Sequence, residues 1–273
     1  MTLSTGRRPL ALTLLNGDSS WLIELDGTRL LLDPWLTGKA VVVVPAIHQA
    51  ERATPALSLD EIGPFDALVI SHPFPDHCNL PTLRLLPPDL PTFAPRVVTP
   101  FLRRVAGLRR TRPIPNATLG RAPLRFGSVS LSWCRATPPF DTTHNALILR
   151  GEESGATVMY CPHGLPTQGR TFRAVERVLN GRLDALLCSF TLLDLPFYLG
   201  GIANLGAEPG VELVRALAPH YVMPTHDGEK PDSGFIARRA KIARCTDIVA
   251  LLAGRSGSTR AVAPPTGQAW LPD

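Results

Sequence analysis

Short apolar runs separated by turn residues make up most of the first third of the chain. In the segment SSWLIELDGTRLLLDPW, Trp21, Ile23 and Leu25 alternate with other residues, which is typical of one face of a β-strand. The Asp-Gly pair at 26–27 predicts a hairpin turn, and the return strand follows at 30–32. This part of the chain is therefore expected to begin a sheet.

Strands and helices alternate in the rest of the sequence. Further strands are predicted at 66–71, 128–133, 146–149, 157–160, 184–190 and 221–223. In the strand at 128–133 serines alternate with apolar residues, which predicts that only one face of this strand is buried. Helices are predicted at 80–86, 99–107, 172–179, 209–217 and 236–244. This order favours an α/β fold with two central sheets and helices outside. No repeat or flexible linker divides the chain, so residues 1–273 are expected to form one domain.

Composition excludes several classes of protein. Apolar residues make up 44% and charged residues 19%, which is ordinary for a globular protein and argues against disorder. The five cysteines show no CxxC spacing, so neither a disulfide framework nor a cysteine-rich zinc module is expected. There is no signal-peptide pattern and no uncharged apolar run of about 18 residues, which predicts a cytoplasmic protein without a membrane anchor.

The net charge of +5 is carried almost wholly by arginine. The densest basic stretch lies at 103–112, and no aromatic residues are interleaved there to stack on bases. Nucleic acid is therefore not the expected partner. A small-molecule substrate is expected instead, and the basic balance favours an anionic one.

Five of the seven histidines lie beside predicted strands, and one aspartate accompanies them. These residues are His72, Asp76, His77, His144, His163 and His226. Strand ends on one edge of a sheet converge in space, so separate segments can deliver imidazoles to a single cleft. One histidine in such a place is usually structural, but five such placements indicate a metal site.

The motif HPFPDH at 72–77 resembles the H-x-H-x-D-H signature of the metallo-β-lactamase superfamily. The opening segment at 16–36 resembles the first hairpin of a branch that includes ascorbate-6-phosphate lactonases. The later segments TTHNALIL, MYCPHG and MPTHDG resemble the places of the third, bridging and last ligands. The resemblance spans about 12–228 and implies a four-layer αβ/βα sandwich with its metal cleft at one edge of the sheets.

Two positions depart from the family pattern. Phe74 stands where the second histidine of the motif is expected, which leaves the first metal site with His72 and His144. His163 stands where an aspartate usually bridges two metal ions. Two dications about 3.5–4 Å apart repel each other by roughly 18 kcal/mol at an effective dielectric of about 20. Without a bridging carboxylate, one ion is therefore expected rather than two.

The second metal set of the family pattern, Asp76, His77 and His226, is intact in this sequence. Two nitrogens and a carboxylate suit catalytic zinc, and iron or manganese are alternatives. His163 is expected to be the fourth ligand or a general base. A competing arrangement holds zinc with His72, His144 and His163.

The function implied is hydrolysis of an ester, lactone or phosphoester by a metal-activated water, with Asp76 and His163 as catalytic residues. The alternative is a degenerate binding protein that keeps the cleft without catalysis. Two loops, 38–52 and 192–210, are expected to flank the cleft. The first has as its alternative a strand packed in the core or against a second copy of the chain. The second is expected to be a hinged lid, and its alternative is a plain buried connection. Asp33 is expected either to orient a metal-ligating histidine or to cap a strand end.

Overall fold

The computed structural model describes residues 9–137 and 141–272. Its first ten strands are β1 (Leu10–Leu14), β2 (Trp21–Leu25), β3 (Thr28–Leu32), β4 (Ala40–Val42), β5 (His48–Ala50), β6 (Ala67–Val69), β7 (Thr92–Ala94), β8 (Thr111–Pro113), β9 (Leu124–Phe126) and β10 (Val129–Cys134). The remaining strands are β11 (Ala146–Gly151), β12 (Thr157–Cys161), β13 (Ala185–Cys188), β14 (Leu192–Asp194), β15 (Ile202–Leu205), β16 (Tyr221–Pro224), β17 (Asp232–Ser233), β18 (Lys241–Ala243), β19 (Arg260–Ala261) and β20 (Ala269–Trp270).

The helices of the described residues are short, apart from two of eleven residues. The α-helices are α1 (Leu59–Ile62), α2 (Leu80–Leu83), α3 (Thr99–Arg104), α4 (Gly169–Leu179), α5 (Ala207–Leu217) and α6 (Ile248–Leu252). Three single turns of 3₁₀-helix lie at Ala117–Leu119, Phe197–Leu199 and Ala237–Arg239. None of the helices described is long and apolar enough to cross a membrane.

Two seven-stranded mixed sheets form the centre of the molecule. The first has the strand order β20-β1-β2-β3-β6-β7-β8, and the second has the order β19-β16-β13-β12-β11-β10-β9. Each begins with antiparallel hairpins, such as β1–β2–β3, and continues with parallel strands, such as β12, β13 and β16. Two three-stranded sheets, β15-β14-β18 and β17-β5-β4, are built from the loops between these strands.

The main core lies between the two large sheets. Trp21 and Ile23 of the first sheet and Leu149 and Tyr160 of the second are fully buried there. A second apolar cluster joins the outer face of the second sheet to α4, α5 and α6, and a third joins the outer face of the first sheet to α2 and α3. The layers are therefore helix, sheet, sheet and helix, which confirms the four-layer αβ/βα sandwich.

The strand β10 is buried on both faces, so the expectation of a half-buried strand at 128–133 was wrong. Ser130 and Ser132, which predicted a solvent face, are 7% and 6% exposed. The reason is tertiary: helix α4 packs against this strand, and Cys134 on the same face joins the outer apolar cluster.

The segment 236–244 is a single helical turn followed by strand β18, not the predicted helix. Strand β18 pairs with β14, with Leu192 opposite Ala243. Because strand pairing satisfies its backbone hydrogen bonds, the extended conformation replaces the helix that local pattern favoured. The predicted helix at 80–86 ends at Leu83, and the chain continues in turns up to Leu86, which precedes Pro87.

Candidate metal centre

Five of the six predicted site residues lie just beyond the carboxyl ends of three strands, and His144 precedes β11. His72 to His77 follow β6, His163 follows β12 and His226 follows β16. Parallel strands of an α/β sheet open their carboxyl ends toward one crevice, which is where ligands usually bind in such folds. The loops therefore bring together residues that are up to 154 positions apart, the separation of His72 and His226 in the numbering.

Two groups of potential metal-binding side chains meet there and share His77. In one group, single donor atoms of Asp76, His77 and His226 all lie within 4.8 Å of one another. In the other group, the same holds for His72, His77 and His163. The ring of His163 is 4.7 Å from that of His226 and 5.1 Å from that of His77, measured between centroids. The aspartate and four of the five predicted histidines thus form one continuous cluster.

Asp33 fixes the orientation of His77. Its fully buried carboxylate accepts hydrogen bonds from the backbone N–H of Ser71 at 2.7 Å, from the Ser71 hydroxyl, and from His77 Nδ1 at 2.8 Å. Since His77 donates through Nδ1, its neutral ring carries a lone pair on Nε2. That Nε2 atom is buried and has no hydrogen-bond partner in the part of the chain described. Asp33 therefore both orients the histidine and binds the strand end at Ser71, which joins the two roles expected for it.

His163 is held in the same way by Asn204. The His163 Nδ1 atom donates to Asn204 Oδ1 at 2.8 Å, and its Nε2 atom is likewise buried with no partner among the described residues. Burial, together with the neighbouring rings of His226 and His72, keeps the pKa of His163 well below its usual value. The ring is therefore neutral and presents a lone pair to the cluster.

Asp76 supplies the negative charge of the site. Its Oδ2 atom accepts a hydrogen bond from His226 Nε2 at 2.8 Å. Burial raises the pKa of Asp76, but His77, His226 and Lys230 outweigh that effect and hold it well below the usual range. The Asp76 carboxylate is therefore ionised at neutral pH.

For His77, burial lowers the pKa while the carboxylates of Asp76 and Asp33 raise it, and the net shift is upward.

Lys230 is a member of the site that sequence reasoning missed. Its Nζ atom is 3.0 Å from Asp18 Oδ1 and 3.9 Å from Asp76 Oδ2. Asn204 was also missed. Lys230 follows His226 by only four residues, which was a weak indication that it belongs to the site. Nothing in the sequence around Asn204 indicates that it is a site residue.

His72 lies in the cluster but also contacts two protein oxygens, whereas His144 lies apart from both groups of donor atoms. His72 contacts Ser71 Oγ through Nδ1 at 2.6 Å and the carbonyl of Thr143 through Nε2 at 2.8 Å. His144 belongs to neither group of donor atoms; its Nδ1 is paired with Asp141 Oδ2 at 2.8 Å, and its Nε2 is buried with no hydrogen-bond partner among the described residues. Within the 4.8 Å limit, His77 rather than His144 forms a group with His72 and His163 among the described residues.

Phe74 packs beside His72 and His163, whose rings are 4.8 Å apart. Its ring centroid is 6.2 Å from that of His72 and 5.7 Å from that of His163. An apolar ring therefore occupies the side of the cluster where the family motif has a further imidazole.

A mainly apolar cavity of about 310 Å³ opens next to the cluster. The metal-site residues that line it are Asp76, His163, His226 and the supporting Asn204. The loop 38–52 contributes Ala40, Val42, His48 and Ala50, and the loop 192–210 contributes Leu193, Leu195, Leu199 and Ala203. Both loops flank the cleft as expected. Phe197, at the outermost turn of the second loop, is 96% exposed and so does not cover the cavity.

The donor set fits a divalent cation. Among the described residues, the Nε2 atoms of His77, His144 and His163 are buried without partners, which is costly unless something binds them. The ionised Asp76 lies in the same cluster as His77 and His163. Nitrogen and carboxylate donors of this kind suit zinc and also suit iron.

Comparison with known proteins identifies the family. A family model described as a beta-lactamase superfamily domain matches residues 13–226. A solved structure of isothiocyanate hydrolase from Delia radicum gut bacteria superposes with a TM-score of 0.68 at 12% identity and covers 95% of this chain and 98% of its own. A possible metal-dependent hydrolase from Veillonella parvula DSM 2008 gives a TM-score of 0.69 at 15% identity, covering 97% and 99%.

A third solved structure, with a lower TM-score, shares the fold but comes from an enzyme of a different kind. CmlA, a diiron beta-hydroxylase from Streptomyces venezuelae, gives a TM-score of 0.56 at 17% identity and covers 81% of this chain and 45% of its own. A search of curated protein sequences found no match. At these identities the solved structures show the fold alone. With a family model covering most of its length and a histidine–aspartate cluster at the edge of two facing sheets, this chain belongs to the β-lactamase superfamily and has its metallo-hydrolase fold.

Proposed function

We propose that this protein is a hydrolase that depends on one divalent cation and acts on an ester, lactone or phosphoester bond. Zinc is the first choice of metal, with iron or manganese as alternatives. One observation carries the proposal: His77 and His163 each direct a buried, unpartnered Nε2 atom into a cluster that also contains the ionised Asp76. Asp76, His77 and His226, with His163 as fourth member, are the residues that would hold the cation.

When bound, a divalent cation lowers the pKa of a coordinated water toward about 7 and polarises a carbonyl or phosphoryl oxygen. The chain contributes the setting for this chemistry. Asp33 keeps the His77 ring in one tautomer and orientation. Asp76 and His163 border the cavity, and each has an atom able to accept a proton there.

Several features support one cation rather than two. Phe74 replaces one imidazole of the first site, and both nitrogens of His72 lie within 2.8 Å of protein oxygens. The ammonium group of Lys230 lies 3.9 Å from Asp76 and adds positive charge next to the cluster. A second dication would be repelled both by this charge and by the first ion, and no carboxylate between the two ions would offset the repulsion.

The shape and lining of the cavity support a small substrate with an apolar portion. A volume of about 310 Å³ is at the lower end of the range for small-molecule sites. Leu193, Leu195 and Ile242 supply apolar surface, while Lys230 and Arg244 supply positive charge. We therefore infer a compact substrate whose apolar part contacts the leucines and whose anionic group, where present, lies toward the two basic residues.

Metal analysis and hydrolysis assays test the proposal. Purified protein should contain close to one equivalent of zinc, iron or manganese by inductively coupled plasma mass spectrometry. It should hydrolyse at least one of p-nitrophenyl acetate, an aliphatic lactone and bis-p-nitrophenyl phosphate. Incubation with EDTA, and the variants Asp76→Asn and His77→Ala, should abolish turnover, whereas the exposed His220→Gln should not change it. Protein that holds no metal and is unchanged by His77→Ala would contradict the proposal.

The second candidate is a binding protein without catalysis. Two observations favour it: Phe74 interrupts the motif, and Lys230 already places a cation near Asp76. Hydrolysis that is lost with EDTA and with Asp76→Asn excludes this candidate. Retention of a small ligand in the cavity with no turnover supports it.

A further inference from the structure

Two uncharged hairpin tips lie beside the cavity. The segments 40–50 and 195–205 contain no lysine, arginine, aspartate or glutamate. Large apolar side chains are exposed in both segments: Val43, Val44, Ile47, Phe197, Tyr198 and Ile202. The residues on either side of each tip line the cavity, Val42 and His48 in the first hairpin and Leu195 and Leu199 in the second. Exposed apolar residues scattered singly are ordinary, but a group of them beside a binding cavity indicates an interaction surface.

A third segment connects the two hairpins. The backbone N–H of Phe235 donates to the carbonyl of Ala46 in the first tip at 2.9 Å. Strand β18 pairs with β14, the first strand of the second hairpin. Ile242 of β18 is 42% exposed and also lines the cavity. The segment 235–243 and the two tips therefore form one surface beside the cavity, which we call the cavity face.

The cavity face carries positive charge. The segment 230–244 contains five basic residues and one acidic residue, Asp232. Four of the basic residues are exposed: Arg238, Arg239, Lys241 and Arg244. Arg239 and Arg244 donate to backbone carbonyls, not to carboxylates. The cavity face thus combines exposed apolar tips with a strip of exposed positive charge.

An anionic lipid surface matches this combination better than a second copy of the chain does. A symmetric dimer brings the same patch of both subunits together, so two positively charged faces would repel each other. A bilayer with anionic lipids offers negative charge to the basic strip and an apolar interior to the tips. Tyr198 has the amphipathic ring that is typical of the boundary between headgroups and hydrocarbon.

We propose that the cavity face docks on bilayers that contain anionic lipids. The apolar tips enter the boundary between headgroups and hydrocarbon, and the basic strip lies at the level of the headgroups. Docking of this kind depends on surface side chains and requires no membrane-spanning helix. Taken together with the proposed function, which this clause alone rests on, docking brings amphiphilic esters held in the bilayer next to the cavity.

Vesicle binding tests the proposal. Full-length protein, treated with EDTA or loaded with zinc, is sedimented with sucrose-loaded vesicles of phosphatidylcholine alone or of phosphatidylcholine and phosphatidylglycerol in equal amounts. We expect binding to the mixed vesicles, weakened by added salt because salt screens surface charges, and much weaker binding to phosphatidylcholine alone. Protein that stays in the supernatant with mixed vesicles at low salt overturns the proposal.

Two double variants locate the docking surface. Phe197→Ser with Tyr198→Ser removes apolar surface at the second tip, and Arg238→Gln with Lys241→Gln removes two charges of the strip. Each should weaken binding to mixed vesicles by about tenfold or more. Because all four side chains are exposed, the variants should remain folded, which circular dichroism checks.

Matched double variants away from the cavity face serve as controls. Val97→Ser with Leu119→Ser removes apolar side chains that are 68% and 61% exposed. Arg104→Gln with Arg110→Gln removes the same charge from the basic stretch at 103–112. Both controls should bind mixed vesicles as the wild type does. A loss in the controls equal to the loss in the cavity-face variants contradicts the proposal.

Self-association and hydrolysis complete the test. Sedimentation velocity that shows a wild-type dimer, lost in Phe197→Ser with Tyr198→Ser, identifies a second copy as the occupant and overturns the proposal. Metal-dependent hydrolysis of a water-soluble ester by protein that does not bind vesicles refutes the docking surface alone. Vesicle binding with the expected variant pattern supports docking, even where the protein holds no metal and the proposed function fails.

Discussion

The support of His77 by Asp33 makes a sharp prediction for Asp33→Asn. The substituted side chain keeps an oxygen for the backbone N–H of Ser71 but places an NH₂ group where Oδ2 now accepts from His77. The Ser71 hydroxyl can turn to His72 Nδ1, 2.6 Å away, so it keeps a partner. The other group near His77 Nδ1 is the Tyr160 hydroxyl at 3.4 Å, a weaker acceptor than a carboxylate, so the His77 proton should shift toward Nε2, which removes the lone pair that faces the cluster.

The magnitude follows from the single hydrogen bond between His77 and a carboxylate that the variant loses. A hydrogen bond to a charged group contributes about 1.5–3 kcal/mol to stability, so the free energy of unfolding of metal-free protein should fall by about that amount. Loss of a supporting carboxylate typically costs about 10–100-fold in metal affinity, which corresponds to about 1.4–2.7 kcal/mol. Both properties should therefore change together in Asp33→Asn.

The assay is zinc competition with a chelating dye, combined with urea unfolding of EDTA-treated protein. Asp184→Asn is the matched control, because Asp184 accepts from the Thr157 backbone at 2.7 Å and pairs with Arg182 outside the cluster. It should lose stability without changing zinc affinity. Equal zinc affinity in Asp33→Asn and wild-type protein, or an equal loss in Asp184→Asn, would refute the reasoning.

Three further predictions concern pH, metal count and thiol chemistry. Burial lowers the pKa of His163, so the unfolded chain binds more protons than the folded chain below about pH 6.5. The unfolding free energy of metal-free protein, measured by urea titration, should therefore fall as the pH is lowered from that value. In His163→Gln, the slope of unfolding free energy against pH should be smaller by up to about 1.4 kcal/mol per pH unit. Phe74→His alone should still bind one zinc by mass spectrometry, and two only in combination with His163→Asp, because a bridging carboxylate offsets the repulsion of two dications. Burial raises the pKa of Cys78 and Cys134 to about 12, so iodoacetamide should modify neither in folded protein, whereas the partly exposed Cys245 should react first in peptide mass spectra.

Local patterns were sufficient for most strands and for the longer helices. The hairpin of β2 and β3 turns at Asp26-Gly27, where both residues have positive φ, as the sequence predicted. Asn79 caps α2 by accepting from the Thr82 backbone, and α4 covers the residues of its predicted apolar face. These features depend on neighbours within a few positions, so a single sequence carries the information.

Elements whose environment is set by distant partners were predicted less well. The extended segment 241–243 exists because β14 pairs with it, and β10 is buried on both faces because α4 packs against it. In both cases packing between remote segments overrides a local preference that is worth only a fraction of a kcal/mol per residue.

The sequence alone determined which residues stand at strand ends, and hence that a histidine–aspartate cluster would form at one edge of the sandwich. Only the tertiary structure decided how each ring is used. It paired His144 with Asp141, engaged both nitrogens of His72, and placed Asn204 between His163 and His226. Which nitrogen of an imidazole is protonated depends on the atom that lies opposite, and in this protein that atom comes from another loop of the chain.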